Sequence, residues 1–394
     1  MPSTPTRIGI VGAGPAGLLL ASALARRGVS TTLLERDGDP NEAPRFNPDR
    51  SYTIDITGHG LRAIRHIDAE RHFDERMLPF KGLRYFGKTD EWPLPGWTGS
   101  RGDILRALTA VVRERHADLV RVHYGHRVTA VDVGSGRVTS ESVADGRVEH
   151  AFDLVVGADG AGSAVRDAMA SQVAGFSVVR RNHPNWCTML ALDRVGDALH
   201  PHYLHGLSVR PFCVAGAIRG DAGPGSYRWF CAVGTRRKLA FEDAAAAAKF
   251  LEARVPDARR FASDVEVEAF SRRPCYPIGQ RLTCSAFHGG RAVLIGDASA
   301  AFPPIGQGVN AAMESAMVLY RHLDDTAAYT RAWKPQSDAV SWLSVQSLFE
   351  RRLQMLRLVL TRWLWANPFE LAKSAELPYA DVVRRVRRFW PLWA

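Results

Sequence analysis

The stretch from Arg7 to Asp37, RIGIVGAGPAGLLLASALARRGVSTTLLERD, is compatible with few folds. Ile8 to Val11 is a short apolar, β-branched run, long enough for one strand buried on both faces. From Leu18 to Arg27 apolar and small residues recur at helical spacing, and Gly28 stands where a helix would stop. Thr31 to Leu34 reads as a second strand, closed by Glu35. Between the first two pieces Gly12, Gly14 and Gly17 form a G-x-G-x-x-G pattern, with Pro15 and Ala16 in the first helical turn. Gly12 permits the tight turn, Gly14 lets a pyrophosphate approach the backbone, and Gly17 lets helix and strand pack closely. The helix start offers free N–H groups and roughly half a positive charge to a diphosphate. Glu35 follows Gly17 by 18 residues, at a strand end suited to accepting from ribose hydroxyls. Strand, helix and acid together predict dinucleotide binding.

Two later motifs extend this reading. Asp153 to Arg166 (DLVVGADGAGSAVR) runs an apolar strand into Gly157, Asp159, Gly160 and Gly162, with a helix after them. It is expected to lie along the same extended ligand. Arg291 to Leu323 runs a buried strand into Gly296 and Asp297, then ASAAFPPIGQGVN, then a helix from about Asn310. Pro303 and Pro304 stiffen that loop, while Gly306 and Gly308 let its backbone approach a flat ligand. A second helix start would then aim its positive end inward. A flavin ring becomes anionic at its pyrimidine side on reduction, so this geometry suits redox chemistry, with Asp297 accepting from a ribityl hydroxyl.

The order of elements predicts an α/β chain of discontinuous organisation. Residues 1–75, 101–173 and 275–325 are expected to build one nucleotide-binding domain, and 76–100 to join a substrate domain. Residues 174–274 are expected to form an antiparallel sheet with little helix covering the substrate, and 326–394 C-terminal helices. Trp92, Pro93, Pro95 and Trp97 read as a loop, and Arg101 to Arg115 as a helix opened by Asp103. At 394 residues the chain is long for one simple core.

Composition narrows the partners. The five cysteines are odd in number and lack a C-x-x-C pair, which argues for a reducing, cytoplasmic setting and against a thiolate metal site. The short polar start predicts no signal peptide, and no apolar run of 18 residues occurs. The net charge of +10 concentrates in the last 44 residues, which hold nine basic against three acidic side chains. No nucleic-acid module accompanies it, so solvated helix faces are expected. Peripheral membrane contact through the C-terminal helices, where Trp363 and Trp365 lie, is the alternative.

Taken in this order and at these separations, the three motifs resemble the single-component (class A) FAD-dependent aromatic hydroxylases, the class of para-hydroxybenzoate hydroxylase. Within it the chain is most similar to the kynurenine 3-monooxygenases, through DRSYTIDITGHGLRAI, VHYGHRVTAV, DLVVGADGAGSAVR, SAFHGGRAVLIGDASAAFPPIGQGVNAAMESA and PYADVVRRVRRFW. The resemblance implies a Rossmann-type FAD domain with an inserted sheet domain, and a monooxygenase using FAD, O2 and a transiently bound NAD(P)H. Such enzymes hydroxylate an aromatic small molecule through a flavin C4a-hydroperoxide. It assigns FAD contacts to Gly12, Gly14, Gly17, Glu35, Arg36, Arg101, Val128, Asp297, Val309 and Asn310. The motifs add Ala16, Asp159, Pro304 and Gly308.

The family's kynurenine-gripping arginine aligns with Leu83, with Lys81 on the same strand face, and its asparagine aligns with Ser347. Loss of a charge-assisted grip costs on the order of 2–3 kcal/mol. The expected substrate is therefore a less charged aromatic of secondary metabolism, with Tyr203 and Tyr227 as candidate pocket residues. No metal site and no catalytic side chain is assigned. A flavin-dependent reductase without oxygen transfer and a non-catalytic flavoprotein are the two competing readings.

Overall fold

The computed structural model describes residues 7–46, 53–85, 87–223, 225–346, 372 and 377–389. Ser347, Trp363 and Trp365 lie outside these described residues. Strand Ile8–Val11 is wholly buried, and helix Pro15–Ala25 buries every residue from Ala16 to Ala25. A helix apolar on all sides must be covered on all sides. This one packs against both helix Arg101–Arg115 and helix Gly308–Arg321.

Five parallel strands run in the order Ala292–Leu294, Leu154–Gly157, Ile8–Val11, Thr31–Glu35 and Val120–Tyr124, with His288–Gly289 antiparallel at one edge. Their Val, Ile and Leu residues are buried, save the partly buried Val122 of the edge strand, as parallel sheets covered on both faces require. Added Cβ atoms show why two glycines are needed here. At Gly17 one would lie 2.1 Å from the Gly12 carbonyl oxygen, and at Gly12 (φ 102°) one would lie 2.6 Å from that of Ala158.

A second sheet has eight strands, and those contributed by residues 174–274 pair with one another antiparallel, as expected. Its order is Tyr276–Pro277, Trp186–Leu192, Tyr227–Thr235, Phe212–Arg219, Tyr203–Val209, Leu78–Tyr85, Lys88–Gly99 and Ile54–Ile56. Tyr203–Val209 pairs parallel with Leu78–Tyr85, which the long connection between them permits. The expected loop around Trp92 is in fact part of strand Lys88–Gly99: residues 92–95 bulge out between the Gly82–Glu91 and Phe80–Gly96 pairs. The bulge accommodates Pro93 and Pro95, which cannot donate to a ladder. Residues 174–274 also hold more helix than expected. Ala244–Arg254, Pro256–Phe261 and Asp264–Arg272 cover one face of the sheet through a core containing Leu190, Trp229, Val233, Leu251 and Phe270.

Two smaller three-stranded sheets complete the described structure. One, of Arg127–Asp132, Arg137–Ser142 and Gly146–Ala151, contains a third strand that the composition of residues 144–151 conceals. Helix Tyr379–Phe389 places Tyr379, Val382, Val383 and Val386 inward and packs on helix Thr326–Gln346, so its apolar face is covered by protein. Among the described residues no helix is long and apolar enough to cross a membrane.

Gly17→Ala is expected to cost about 1–3 kcal/mol of stability, because the backbone it meets cannot yield. Gly14→Ala, whose added carbon meets nothing closer than 4.0 Å, should cost about 1 kcal/mol at most. Urea unfolding of the two variants measures the contrast.

Candidate functional site

Three parallel strands end side by side, and each runs directly into one of the sequence motifs. Val11, Gly157 and Leu294 are register neighbours, so Gly12, Asp159 and Gly296–Asp297 share the carboxyl edge of the sheet. Ligands of open α/β sheets bind at that edge. Gly296 (φ 56°) is wedged between two helix starts: a carbon added to it would lie 3.5 Å from Ala16 Cβ and 3.3 Å from Ala312 Cβ. Ser315 Oγ accepts from the Gly296 N–H at 2.8 Å and holds the wedge in place. Helix Pro15–Ala25 at its second residue and helix Gly308–Arg321 at its fifth therefore both close on Gly296. In the second, the first i→i−4 bond of the helix is Ala311 N–H to the Gln307 carbonyl, leaving the N–H groups of Gly308, Val309 and Asn310 without helical acceptors.

Acidic groups surround this spot. Glu35 Oε2 accepts from Ala13 N–H at 2.7 Å and Oε1 from Asp37 N–H at 2.9 Å, which pins the carboxylate at the glycine turn with lone pairs still available. Val128 sits close by, on the strand after His126, whose N–H donates to the Glu35 carbonyl at 2.8 Å. Asp159 caps the helix that follows it, Oδ2 accepting from Ala164 N–H at 2.7 Å, while its buried Oδ1 has no partner. Burial pushes the Asp159 carboxyl upward.

Asp297 opens onto a shallow recess lined by Gly296, Gly308, Phe302 and Trp333. The Asp297 side chain is exposed by surface area, yet protein atoms crowd it closely enough to disfavour its charged form. Desolvation raises it to about 6, against an opposing pull from Arg101. Arg36 and Pro304 are exposed, Arg36 beside Asp37 at 3.8 Å.

Asn310 has a different role from a side-chain ligand. It is fully buried, its Oδ1 accepting from Thr57 N–H at 2.9 Å and its Nδ2 donating to the Asp55 and Gly306 carbonyls at 3.0 and 3.3 Å. It staples the loop to the Ile54–Ile56 strand, and only its main chain is turned to the site. Gly60 makes the close approach possible, since a side chain there would strike Asn310 Oδ1 at 2.2 Å.

The eight-stranded sheet separates the four candidate substrate residues that fall in the described structure. Leu83, Leu204, Gly216, Phe230 and Ala191 form a row across five strands on one face. Thr53 lies against Gly216, and Phe46 stacks on Phe230 with centroids 4.4 Å apart. Both come from the segment after the Glu35 strand, so this face is turned toward the nucleotide-binding half. Tyr203 and Tyr227 are on the opposite face, which they share with Trp229 by strand alternation. Tyr203 donates to Glu91 Oε1 at 2.5 Å beneath Arg84, and Tyr227 is 39% exposed. Pocket roles for these two tyrosines do not fit that register. Lys81 is exposed to solvent.

Several polar residues escaped sequence reasoning. Gln307 and Tyr379 are joined within the core beside the loop, and Glu314 gathers His59, Arg62 and Arg321 around it. Their spacing in the chain carries no periodic signal. His66 packs on Tyr320, and His288 shares a hydrogen bond with Thr330 Oγ1 at 2.8 Å.

A protein-family model described as FAD binding domain matches residues 5–332. The chain belongs to this FAD-binding family. It is 30% identical over 369 residues to the kynurenine 3-monooxygenase of Myxococcus xanthus, covering 87% of this chain and 77% of that protein. Its fold matches the tetrameric form of 2-methyl-3-hydroxypyridine-5-carboxylic acid oxygenase, with a TM-score of 0.65 at 20% identity over 97% and 98% of the two chains. It also matches OxyS anhydrotetracycline hydroxylase from Streptomyces rimosus, with a TM-score of 0.63 at 19% identity over 92% and 74%. The protein is an FAD-dependent monooxygenase of the aromatic hydroxylase family, with the mixed α/β fold of that class.

The site suits the cofactor physically. Open space lies above Gly14, where a Cβ would intrude on a diphosphate. Glu35 keeps lone pairs for a ribose, Asp159 Oδ1 lacks a donor, and Asp297 has an acceptor at the recess. A folded-state carboxyl raised to about 6 binds protons more tightly than in the unfolded chain, so Asp297 costs stability as pH rises from about 4 through 6. Asp297→Asn should therefore raise the melting temperature of the FAD-free protein at pH 7.5 and leave it unchanged at pH 3.5. Calorimetry across that range tests the sign.

Proposed function

We propose that this enzyme takes electrons from NAD(P)H and inserts one oxygen atom of O2 into an uncharged aromatic compound of secondary metabolism. FAD, when bound, supplies the redox chemistry that activates oxygen. The residues of the chain hold and orient it: helix starts at Pro15 and Gly308 for its charges, and Glu35, Asp159 and Asp297 for its hydroxyls. Arg36, Arg101, Val128 and Pro304 complete the proposed contact set.

One observation supports the substrate class above others. The inward row Leu83, Leu204, Gly216, Phe230 and Ala191 is apolar along its length, with leucine where kynurenine hydroxylases carry an arginine. Such a wall excludes water from an aromatic ring but leaves a carboxylate unpaired, which costs several kcal/mol. It would equally disfavour the carboxylated substrate named for the pyridine-carboxylic acid oxygenase. A polycyclic or phenolic compound, closer to the substrate of the anhydrotetracycline hydroxylase, suits it better.

Oxygen uptake and NADPH or NADH oxidation should be stimulated by 1-naphthol or indole far more than by L-kynurenine. Product mass should rise by one oxygen atom. Reduction without oxygen consumption would instead favour a reductase. Leu83→Arg should reverse the preference, improving kcat/KM for L-kynurenine by about 10–100-fold through a charge-assisted contact.

A further inference from the structure

The FAD binding domain match ends at residue 332, yet Tyr379, in the later stretch PYADVVRRVRRFW, reaches the loop that would face the flavin. Tyr379, the first residue of helix Tyr379–Phe389, is fully buried and donates its hydroxyl to Gln307 Oε1 at 2.9 Å. Gln307, itself 1% exposed, donates from Nε2 to the Gly306 carbonyl at 2.9 Å and to Thr57 Oγ1 at 3.4 Å. These contacts settle which way the amide points, since only the nitrogen can face the carbonyl and only the oxygen can receive the phenol proton. The Gln307 carbonyl in turn caps helix Gly308–Arg321 through Ala311 N–H at 2.9 Å.

The C-terminal helix is anchored well enough to act as a clamp. Ala380 N–H donates to Gln336 Oε1 at 3.0 Å, and Val382, Val383 and Val386 bury its inner face. The Tyr379 ring lies 4.4 Å from that of His59. Burial pushes the Tyr379 phenol far above its ordinary value, so it donates at every working pH. The Gly306–Gly308 turn, with Gly306 at φ 74°, is thus gripped twice. Asn310 holds it from the Ile54–Ile56 strand, and Tyr379 holds it through Gln307.

We propose that Tyr379 is a positioning residue for the flavin: through Gln307 it fixes the turn so that the N–H groups of Gly308, Val309 and Asn310 stay aimed at the ring. This rests on the reading that those groups face the cofactor. Aligned N–H dipoles stabilise a reduced, anionic ring more than an oxidised, neutral one. Loosening the turn lowers the reduction potential as well as the affinity for FAD.

The test compares FAD-loaded wild type with Tyr379→Phe, Gln307→Met and Val383→Ala. FAD dissociation is followed by fluorescence, midpoint potential by dye-linked titration, and stability by melting. Tyr379→Phe should weaken FAD binding about three- to tenfold, the effect of one buried hydrogen bond, and shift the potential negative. Gln307→Met should do the same, and the double variant should go no further than Gln307→Met alone. Val383→Ala removes buried apolar contacts of the same helix, so it should melt earlier yet keep the wild-type potential. The inference is overturned if Tyr379→Phe keeps both affinity and potential, or if Val383→Ala shifts the potential as much. Wild-type protein that takes up no FAD would overturn the underlying reading too, whereas normal uptake with an unaltered Tyr379→Phe variant removes only this inference.

Discussion

Two helix starts facing one another across a single glycine are electrostatically uncomfortable. Each brings about half a positive charge and several N–H groups with no partner in the helix, and Ala16 of one and Ala312 of the other flank Gly296. An anionic ligand would relieve both at once. The apolar first helix makes this arrangement unavoidable, because it must be sandwiched between neighbours, one of which is the helix that starts beside it. Glycines at 12, 17 and 60 allow the close packing, and the carboxylates of Glu35, Asp159 and Asp297, proposed above to meet the polar parts of the ligand, follow the same strand ends.

The second sheet works by a different principle. Its two faces have opposite duties, set by strand alternation alone. The face bearing Trp229 and Val233 is closed by three helices and supplies stability. The face bearing Leu83 and Phe230 is covered by segments from the nucleotide-binding half, Phe46 among them, and supplies the apolar wall. Arg45 ties the halves together, donating to the Arg219 carbonyl at 2.6 Å and pairing with Asp221 at 2.8 Å and the buried Asp103 at 3.4 Å. The proposed recognition of an uncharged ring would then depend on shape and desolvation.

The local motifs could be read from residues alone. Gly12, Gly14 and Gly17 lie within one turn of each other, Ser100 and Asp103 form a reciprocal cap at four-residue range, and the apolar strands announce their burial. The proline bulge after Trp92 misled because proline in a strand is visible in sequence only as a breaker, while the pairing that tolerates it depends on the neighbouring strand Leu78–Tyr85. Asn310 was recognisable as important but not as a staple, since its partners Asp55 and Thr57 are some 250 residues distant.

What the chain order determined by itself was the cofactor edge: which strands carry glycine turns, where the helices begin, and which acids follow at nucleotide spacing. Those features are local, and local geometry is dictated by neighbours in sequence. Only the tertiary structure decided the face on which Tyr203 and Tyr227 sit and the union of Tyr379 with Gln307, 72 residues apart. A strand's register flips its faces with a one-residue shift, and a buried hydrogen bond needs only proximity in space. Neither leaves a trace in the spacing of residues.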